Sequence, residues 1–210
     1  LLDRLVPADV AVADLPTGPK ADPPLVVWNH RWEYDKDPDA FFAALDAVAD
    51  LDWRLALVGE SFRNEPTEFE AARVRWADRL VAWGHAPRAE YARLLGEATV
   101  AVSTARHEFF GIAMVEAAAA GAVPLVPNRL SYPSVFPEHF HEAVLHDDLA
   151  TRLREVLTAP ATALAAVGGL ARTARSGGAG APTMLPTASP TPASALPPVS
   201  AAQDLARRVD

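Results

Sequence analysis

Apolar residues follow two alternating patterns along the chain from residue 25 onward. Short, mostly apolar runs that are typical of buried strands occupy residues 25–28, 54–58, 80–81, 99–103, 123–126 and 143–145. In the intervening and following segments apolar residues recur every three or four positions, which predicts helices over 39–48, 68–76, 89–95, 112–120 and 149–157. The sequence therefore predicts strands that alternate with helices.

This alternation predicts a Rossmann-like α/β fold, with a mostly parallel sheet and helices on both faces. Ligands of such sheets bind at the carboxyl ends of the strands, so we expect chemistry in the loops that follow them. Residues 1–24 contain scattered prolines and are predicted to be an incoming linker to a domain over 25–167. Residues 168–210, rich in Gly, Ala, Ser, Thr and Pro, are predicted to be a low-complexity, disordered tail.

Composition narrows the class of protein. With 210 residues, half of them apolar, the chain is long enough for one α/β domain. A net charge of -8 argues against non-specific binding to the phosphate backbone of nucleic acids. The lack of cysteine excludes disulfides and a cysteine nucleophile, and no apolar run is long enough to cross a membrane. We expect a soluble, cytoplasmic protein, and the missing initiator methionine favours a chain that begins within a longer one.

Two glutamates mark the segment that follows the predicted strand over 99–103. Glu108 lies in the loop that opens the next helix, where backbone N–H groups and the helix dipole favour an anion such as a diphosphate. Glu116 lies inside that helix, next to the small residues 117–121, where a carboxylate needs a partner. Vicinal ribose hydroxyls are one such partner. Alternatively, Glu108 only complements the helix dipole and Glu116 is a solvated helix position.

Glu108, seven intervening residues and Glu116, with Phe110 and Gly111, resemble the E-x7-E signature of retaining GT-B glycosyltransferases. The resemblance implies that Glu116 holds the nucleotide ribose and that Glu108 lies near the donor sugar. It also extends to the loop after the first strand. There, an arginine and a lysine five positions later bind the donor pyrophosphate in that superfamily, and Arg31 and Lys36 have this spacing.

A narrower resemblance, over about residues 25–139, is to the tRNA-queuosine α-mannosyltransferase family. It implies a GDP-mannose donor, retention at the anomeric carbon and queuosine in tRNA as the acceptor. The amino-terminal, acceptor-binding domain of such an enzyme is not in this chain, so the chain alone is expected to be an incomplete catalyst. The motifs that carry the resemblance are Val27-Trp-Asn-His-Arg-Trp-Glu-Tyr-Asp-Lys-Asp-Pro38, Gly59-Glu-Ser-Phe62, Trp83-Gly84, His107-Glu-Phe-Phe-Gly-Ile112 and Pro127-Asn-Arg-Leu-Ser-Tyr-Pro133.

The predicted site combines these residues. Its catalytic groups are Glu108, Arg31 and Lys36. Its donor-binding groups are Arg31, Lys36, Gly59, Glu108, Phe109, Phe110, Gly111, Glu116 and Asn128. Phe109 stands where the wider superfamily has a glycine, and Ser134 stands where it often has a glutamate, so the sugar pocket is expected to differ in detail.

No metal and no cofactor are predicted. His30, His107, Glu108 and His139 lack the spacing of a metal site, and Arg31, Lys36 and helix amides would offset the leaving-group charge instead. Two other functions remain open. The chain is then either a non-catalytic nucleotide-sugar-binding module or part of a GT-B enzyme that acts on a lipid, glycan or small-molecule acceptor.

Overall fold

A computed structural model describes residues 15–60 and 67–175. Its six strands form one sheet in the order β3-β2-β1-β4-β5-β6, and all five neighbouring pairs are parallel. The predicted Rossmann-like fold is therefore confirmed. The strand order reverses between β1 and β4, which is where ligands bind in such sheets. The strands are β1 Leu25–Trp28, β2 Arg54–Val58, β3 Leu80–Gly84, β4 Val100–Val102, β5 Val123–Pro127 and β6 Leu145–His146.

Helices connect the strands and cover the sheet in two groups. Helix α1 packs against α2 and α7, whereas α4 packs against α3 and α9. Every residue of β1 and β4 is buried between them, which explains why the sequence of each is apolar throughout. The helices are α1 Pro38–Ala47, α2 Thr67–Arg75, α3 Arg88–Glu97, α4 Ile112–Ala119, α5 Tyr132–Val135, α6 His141–Val144, α7 Leu149–Thr158, α8 Pro160–Ala166 and α9 Leu170–Arg175.

The segment predicted as an incoming linker packs onto the domain in its described part. Leu15 is buried, and the Lys20 ammonium donates hydrogen bonds to the carbonyls of Gly96 (3.0 Å) and Ala120 (3.1 Å). These carbonyls lie at the carboxyl-terminal ends of α3 and α4, where the helix dipole favours a cation. Burial lowers the pKa of Lys20 to about 8. Residues 15–24 thus belong to the folded unit, a tertiary contact that proline content does not reveal.

The predicted tail also begins inside the folded unit. Helix α9 lies beyond the expected boundary at residue 168, and its Leu170 is buried. Arg175 donates hydrogen bonds to the carbonyls of Ala119 (3.0 Å) and Leu15 (2.6 Å), which joins both ends of the described chain to α4. The rest of the expected tail, residues 176–210, lies outside the described residues, as do residues 1–14 and the predicted motif residues Ser61 and Phe62.

Candidate functional site

Two loops meet at the carboxyl edge of the sheet, one after β1 and one after β4. The backbone N–H of Arg106 donates to the carbonyl of Asp35 (2.8 Å), and the Thr104 hydroxyl donates to the carbonyl of Lys36 (2.6 Å). The Arg106 guanidinium binds both carboxylate oxygens of Asp37, at 2.8 and 2.9 Å. These contacts hold the two loops against each other, and the two loops carry most of the predicted site residues.

Glu108 folds back onto the entrance of α4. One of its carboxylate oxygens accepts hydrogen bonds from the N–H groups of Gly111 (2.9 Å) and Phe110 (3.2 Å), and the other lies 3.3 Å from the Lys36 ammonium. Burial opposes ionisation of Glu108, but the Gly111 amide, Lys36 and the Phe110 amide outweigh it and hold the pKa of this carboxyl below its ordinary value. The site thus keeps a carboxylate, not a carboxylic acid, at this position.

Lys36 is buried beside the entrance of α4. Its ammonium donates to the carbonyl of His107 (2.8 Å) and also lies 3.4 Å from Asp35. Arg31 differs, because it is largely exposed and contacts the carboxylate of Glu33 at 3.2 Å. The two predicted cations therefore have different surroundings. The contacts of Lys36 fix it against the loops, whereas Arg31 is the more accessible of the pair.

Gly111 adopts a left-handed conformation, with φ of 80°, at the start of α4. A Cβ atom here would lie 2.6 Å from the ring of Tyr132, so the position has no room for a side chain. Tyr132 is fully buried and its hydroxyl shares a 2.7 Å hydrogen bond with that of Ser103. Gly111 therefore lets α4 start tightly against Tyr132 of α5 while its amide donates to Glu108.

Glu116 is buried in α4 and has partners from the protein itself. Arg88 donates to one carboxylate oxygen (2.9 Å) and the Tyr91 hydroxyl donates to the other (2.7 Å). The amide of Asn29 in turn donates to the Tyr91 hydroxyl (2.9 Å) and to the carbonyl of Ala113 (3.1 Å). Burial, together with the charge of Glu116 and the hydrogen bond to it, raises the pKa of Tyr91, so this hydroxyl remains a donor.

A cavity of about 410 Å³ lies at the carboxyl ends of β1 and β2, between the loop after β1 and helices α3 and α4. It brings together three predicted site residues, Arg31, Gly59 and Glu116. A Cβ atom on Gly59 would lie 1.9 Å from the carbonyl oxygen of His30. This glycine therefore allows the loop after β2 to lie close to the loop after β1. The remaining lining residues include Asn29, His30, Glu60, His85 and Tyr91.

His30 is a buried histidine that lines this cavity. Desolvation by burial, followed by the charge of Lys36, lowers the pKa of His30 to about 4, although Glu108 and Asp35 act in the opposite direction. Its ring nitrogen Nε2 has no hydrogen-bond partner within residues 15–60 and 67–175. His30 is therefore a neutral imidazole at the site over the physiological pH range.

Two predicted donor contacts lie apart from this cavity. Asn128 lines a different cavity, of about 560 Å³, at the carboxyl ends of β4 to β6, together with Asp37, Arg129 and His146. Phe109 is 98 % exposed, so almost nothing in the described part of the chain covers its ring. The predicted site residues thus fall into three groups. One lines the cavity of Glu116, the second is the Lys36–Glu108 pair with the Phe110 and Gly111 amides, and the third is these two outlying positions.

Sequence reasoning missed Arg88 and Tyr91 and quoted Asn29 only as part of a motif. Arg88 and Tyr91 are three positions apart on α3 and therefore share one face of that helix. A buried carboxylate needs hydrogen-bond donors, and this requirement is the feature of the sequence that could have pointed to Arg88 and Tyr91. Trp83, which belongs to one of the predicted motifs, is partly buried and packs against the core residue Trp32 with ring centroids 4.7 Å apart.

Within residues 15–60 and 67–175, no group of three or more His, Asp or Glu side chains has an arrangement that could hold a metal ion. Metal-free chemistry stays a prediction. None of the helices in the same residues is long and apolar enough to cross a membrane.

Two solved structures share the fold of this chain. Sucrose-phosphate synthase from Thermosynechococcus elongatus superposes with a TM-score of 0.62 at 24% identity, over 83% of this chain and 46% of that one. The catalytic domain of cholesterol-α-glucosyltransferase from Helicobacter pylori superposes with a TM-score of 0.60 at 19% identity, over 72% of this chain and 97% of that one. At these identities the likeness shows the fold alone.

Two relatives are more similar in sequence. The tRNA-queuosine alpha-mannosyltransferase of Drosophila melanogaster is 40% identical over 115 residues, which are 54% of this chain and 30% of that protein. The GDP-mannose:cellobiosyl-diphosphopolyprenol alpha-mannosyltransferase of Xanthomonas oryzae pv. oryzae (strain PXO99A) is 35% identical over 102 residues, 47% of this chain and 27% of that protein. The chain thus matches less than a third of either relative.

The family model for glycosyl transferases group 1 matches residues 15–167. Those residues include the whole sheet, the cavity of Glu116 and the segment before β1 that packs onto the domain. The match covers well over half of the chain. The chain therefore belongs to the group 1 glycosyl transferases.

Proposed function

We propose that the chain binds GDP-mannose and is the donor-binding part of an enzyme that transfers mannose, with retention, to queuosine in tRNA. The observation that carries this proposal is the cavity in which Arg31 and Glu116 lie together at the carboxyl ends of β1 and β2. The acceptor rests on the 40% identity to the Drosophila relative, whose name states it, and the donor rests on the 35% identity to the Xanthomonas relative, whose name states GDP-mannose. A tRNA acceptor makes a cytoplasmic location the expected one.

The charges of the site suit a nucleotide diphosphate. Arg31 supplies an accessible guanidinium at the cavity, and such a group binds phosphate oxygens with two parallel hydrogen bonds. Glu116 supplies a buried acceptor for ribose hydroxyls, which donate hydrogen bonds. A cation and a carboxylate in one cavity therefore match the two polar parts of a nucleoside diphosphate.

Transfer breaks the bond between the anomeric carbon and the diphosphate and forms a bond from that carbon to an acceptor oxygen, on the same face of the sugar. GDP leaves with the electron pair of the broken bond, and the proton of the acceptor hydroxyl passes to the departing diphosphate oxygen. Lys36, Arg31 and backbone amides at the start of α4 would stabilise the negative charge of the leaving diphosphate. Glu108, held ionised beside Lys36, would stabilise the positive charge that develops on the sugar ring.

Isothermal titration calorimetry tests donor binding on the chain itself. We expect GDP-mannose to bind more tightly than UDP-glucose, and Glu116→Ala and Arg31→Ala each to weaken binding by about tenfold or more, because each removes a charged hydrogen-bonding group. Glu97→Ala on the exposed side of α3 is the matched control and should leave the dissociation constant unchanged. Equal affinity for both donors and for all variants would contradict the assignment.

The acceptor is tested with the complete polypeptide that the gene encodes. Incubation with GDP-mannose and queuosine-containing tRNA, followed by mass spectrometry of the nucleosides, should yield hexosylated queuosine. tRNA without queuosine should remain unmodified.

The Xanthomonas relative, whose name states a diphosphopolyprenol acceptor, makes a lipid-linked saccharide the second candidate. Transfer only to such a lipid would establish that alternative. Donor binding without transfer or hydrolysis would indicate a non-catalytic binding module.

A further inference from the structure

A closed hydrogen-bond network joins three elements around Glu116. Arg88 and Tyr91 from α3 each donate to one oxygen of the carboxylate, at 2.9 and 2.7 Å. Asn29, in the loop after β1, donates to the Tyr91 hydroxyl and to the carbonyl of Ala113 in α4. The carbonyl of Ala113 can only accept, so the orientation of the Asn29 amide is fixed. The network therefore ties α3, α4 and the first loop to one carboxylate.

The carboxylate retains binding capacity after these contacts. An ionised carboxylate has about four acceptor positions, two on each oxygen. Arg88 and Tyr91 use one position on each oxygen of Glu116, so one position remains on each. Two acceptors on neighbouring oxygens match the two hydroxyls of a vicinal diol, which donate in parallel. Glu116 and Tyr91 both line the cavity of about 410 Å³, where such a diol could be placed.

Arg88 also stabilises the negative charge of Glu116, which is buried. Burial of an unpaired carboxylate is costly, and Arg88, whose side chain is half exposed, is the cation that offsets this cost. Tyr91 then fixes the second oxygen and so the plane of the group. If Glu116 lost these partners or rotated, the free acceptor positions of its carboxylate would no longer point toward the diol in the cavity.

Asn29 supplies a second indication that a ligand donor belongs in this cavity. Its side-chain oxygen is buried and has no hydrogen-bond partner within the part of the chain that the structure describes. The residue is 8 % exposed and lines the same cavity. A buried acceptor of this kind is normally paired, so a donor group on the ligand would complete it.

We propose that Arg88 and Tyr91 are positioning residues, which hold Glu116 so that its two free acceptor positions receive the vicinal hydroxyls of a nucleotide ribose. This inference rests on the proposed binding of a nucleotide sugar and assigns the recognition of its diol to a network, not to Glu116 alone. Arg88 and Tyr91 contact Glu116 and act through it.

The test compares two probes by calorimetry, GDP and 2′,3′-dideoxy-GDP, whose ribose lacks both vicinal hydroxyls. Arg88→Ala and Tyr91→Phe should weaken the binding of GDP by about tenfold and should leave the binding of the dideoxy probe within about twofold of wild type. Arg88→Lys should restore part of the affinity for GDP. Arg93→Ala is the matched control, because Arg93 lies on the same helix, is equally exposed and pairs with Glu97.

The dideoxy probe separates positioning from other effects. A loss of affinity that is equal for both probes would show that Arg88 acts through general charge or through folding, and it would overturn the inference while leaving the proposed function intact. Unchanged binding of GDP by both variants would overturn it as well. Wild-type protein that binds neither GDP nor GDP-mannose would contradict the proposed function and the inference together.

Discussion

Replacement of Gly59 by alanine perturbs the contact on which the cavity of Glu116 depends. Gly59 follows β2, and its Cβ position would lie 1.9 Å from the carbonyl oxygen of His30. The obstacle is backbone, which cannot rotate away as a flexible side chain does. The added carbon must therefore separate the loop after β1 from the loop after β2.

The size of the effect follows from the distances. Cβ atoms essentially never approach other atoms to less than 3.0 Å, so the loops must move apart by about 1 Å. Two backbone hydrogen bonds, from Gly59 N–H to Gly84 (3.0 Å) and from Trp32 N–H to Glu60 (3.1 Å), would be strained. Forced overpacking costs about 1–3 kcal/mol and each of the two strained bonds costs about 0.5 kcal/mol, so we expect a loss of about 3 kcal/mol in the free energy of unfolding.

Urea denaturation followed by tryptophan fluorescence measures this loss. With a slope of about 2 kcal/mol per molar urea, the midpoint should fall by about 1.5 M. Gly18→Ala is the control, because its Cβ would lie 3.7 Å from the nearest atom, and its midpoint should stay within about 0.3 M of wild type. A Gly59→Ala midpoint equal to that of the control would refute the steric argument.

Two further predictions concern His30 and Phe109. Because the pKa of His30 is lowered from 6.5 to about 4, the unfolded chain binds a proton in this interval that the folded chain does not. This group's contribution to stability is therefore present above pH 6.5 and is lost as the pH falls to 4, by up to about 3 kcal/mol. His30→Gln should flatten the pH dependence, and an unchanged slope would contradict the assignment. Phe109→Ala should leave the urea midpoint unchanged, since the ring is exposed, but weaken GDP-mannose binding several-fold if the predicted donor contact is right; an unchanged dissociation constant would remove Phe109 from the site.

The fold could be predicted where apolar residues recur with a clear period along the chain. The prediction failed where they do not. Strands β1 and β2 have the bounds that their apolar runs indicate. The predicted strand over 143–145 was wrong for most of its length, because α6 occupies His141–Val144 and β6 is only Leu145–His146. A run of three apolar residues is too short for its periodicity to distinguish the two structures. Helices α8 and α9 were missed because small residues dominate them and packing, not pattern, stabilises them.

The site was predictable to the extent that it is local in sequence. Lys36 and Glu108 follow neighbouring strands of a parallel sheet, so their proximity could be predicted from topology, and they lie 3.3 Å apart. The partners of Glu116 could not be predicted in this way. Arg88 comes from the preceding helix, and neither its spacing from Glu116 nor any periodicity fixes how two helices face each other.

A crystal structure of the chain with bound GDP-mannose tests the central claim most directly. The account predicts that the ribose hydroxyls lie within hydrogen-bonding distance, about 3 Å, of the Glu116 carboxylate, and that the diphosphate contacts the Arg31 guanidinium. A nucleotide seated in the cavity lined by Asn128 and Arg129, with Glu116 bound only by Arg88 and Tyr91, would contradict it.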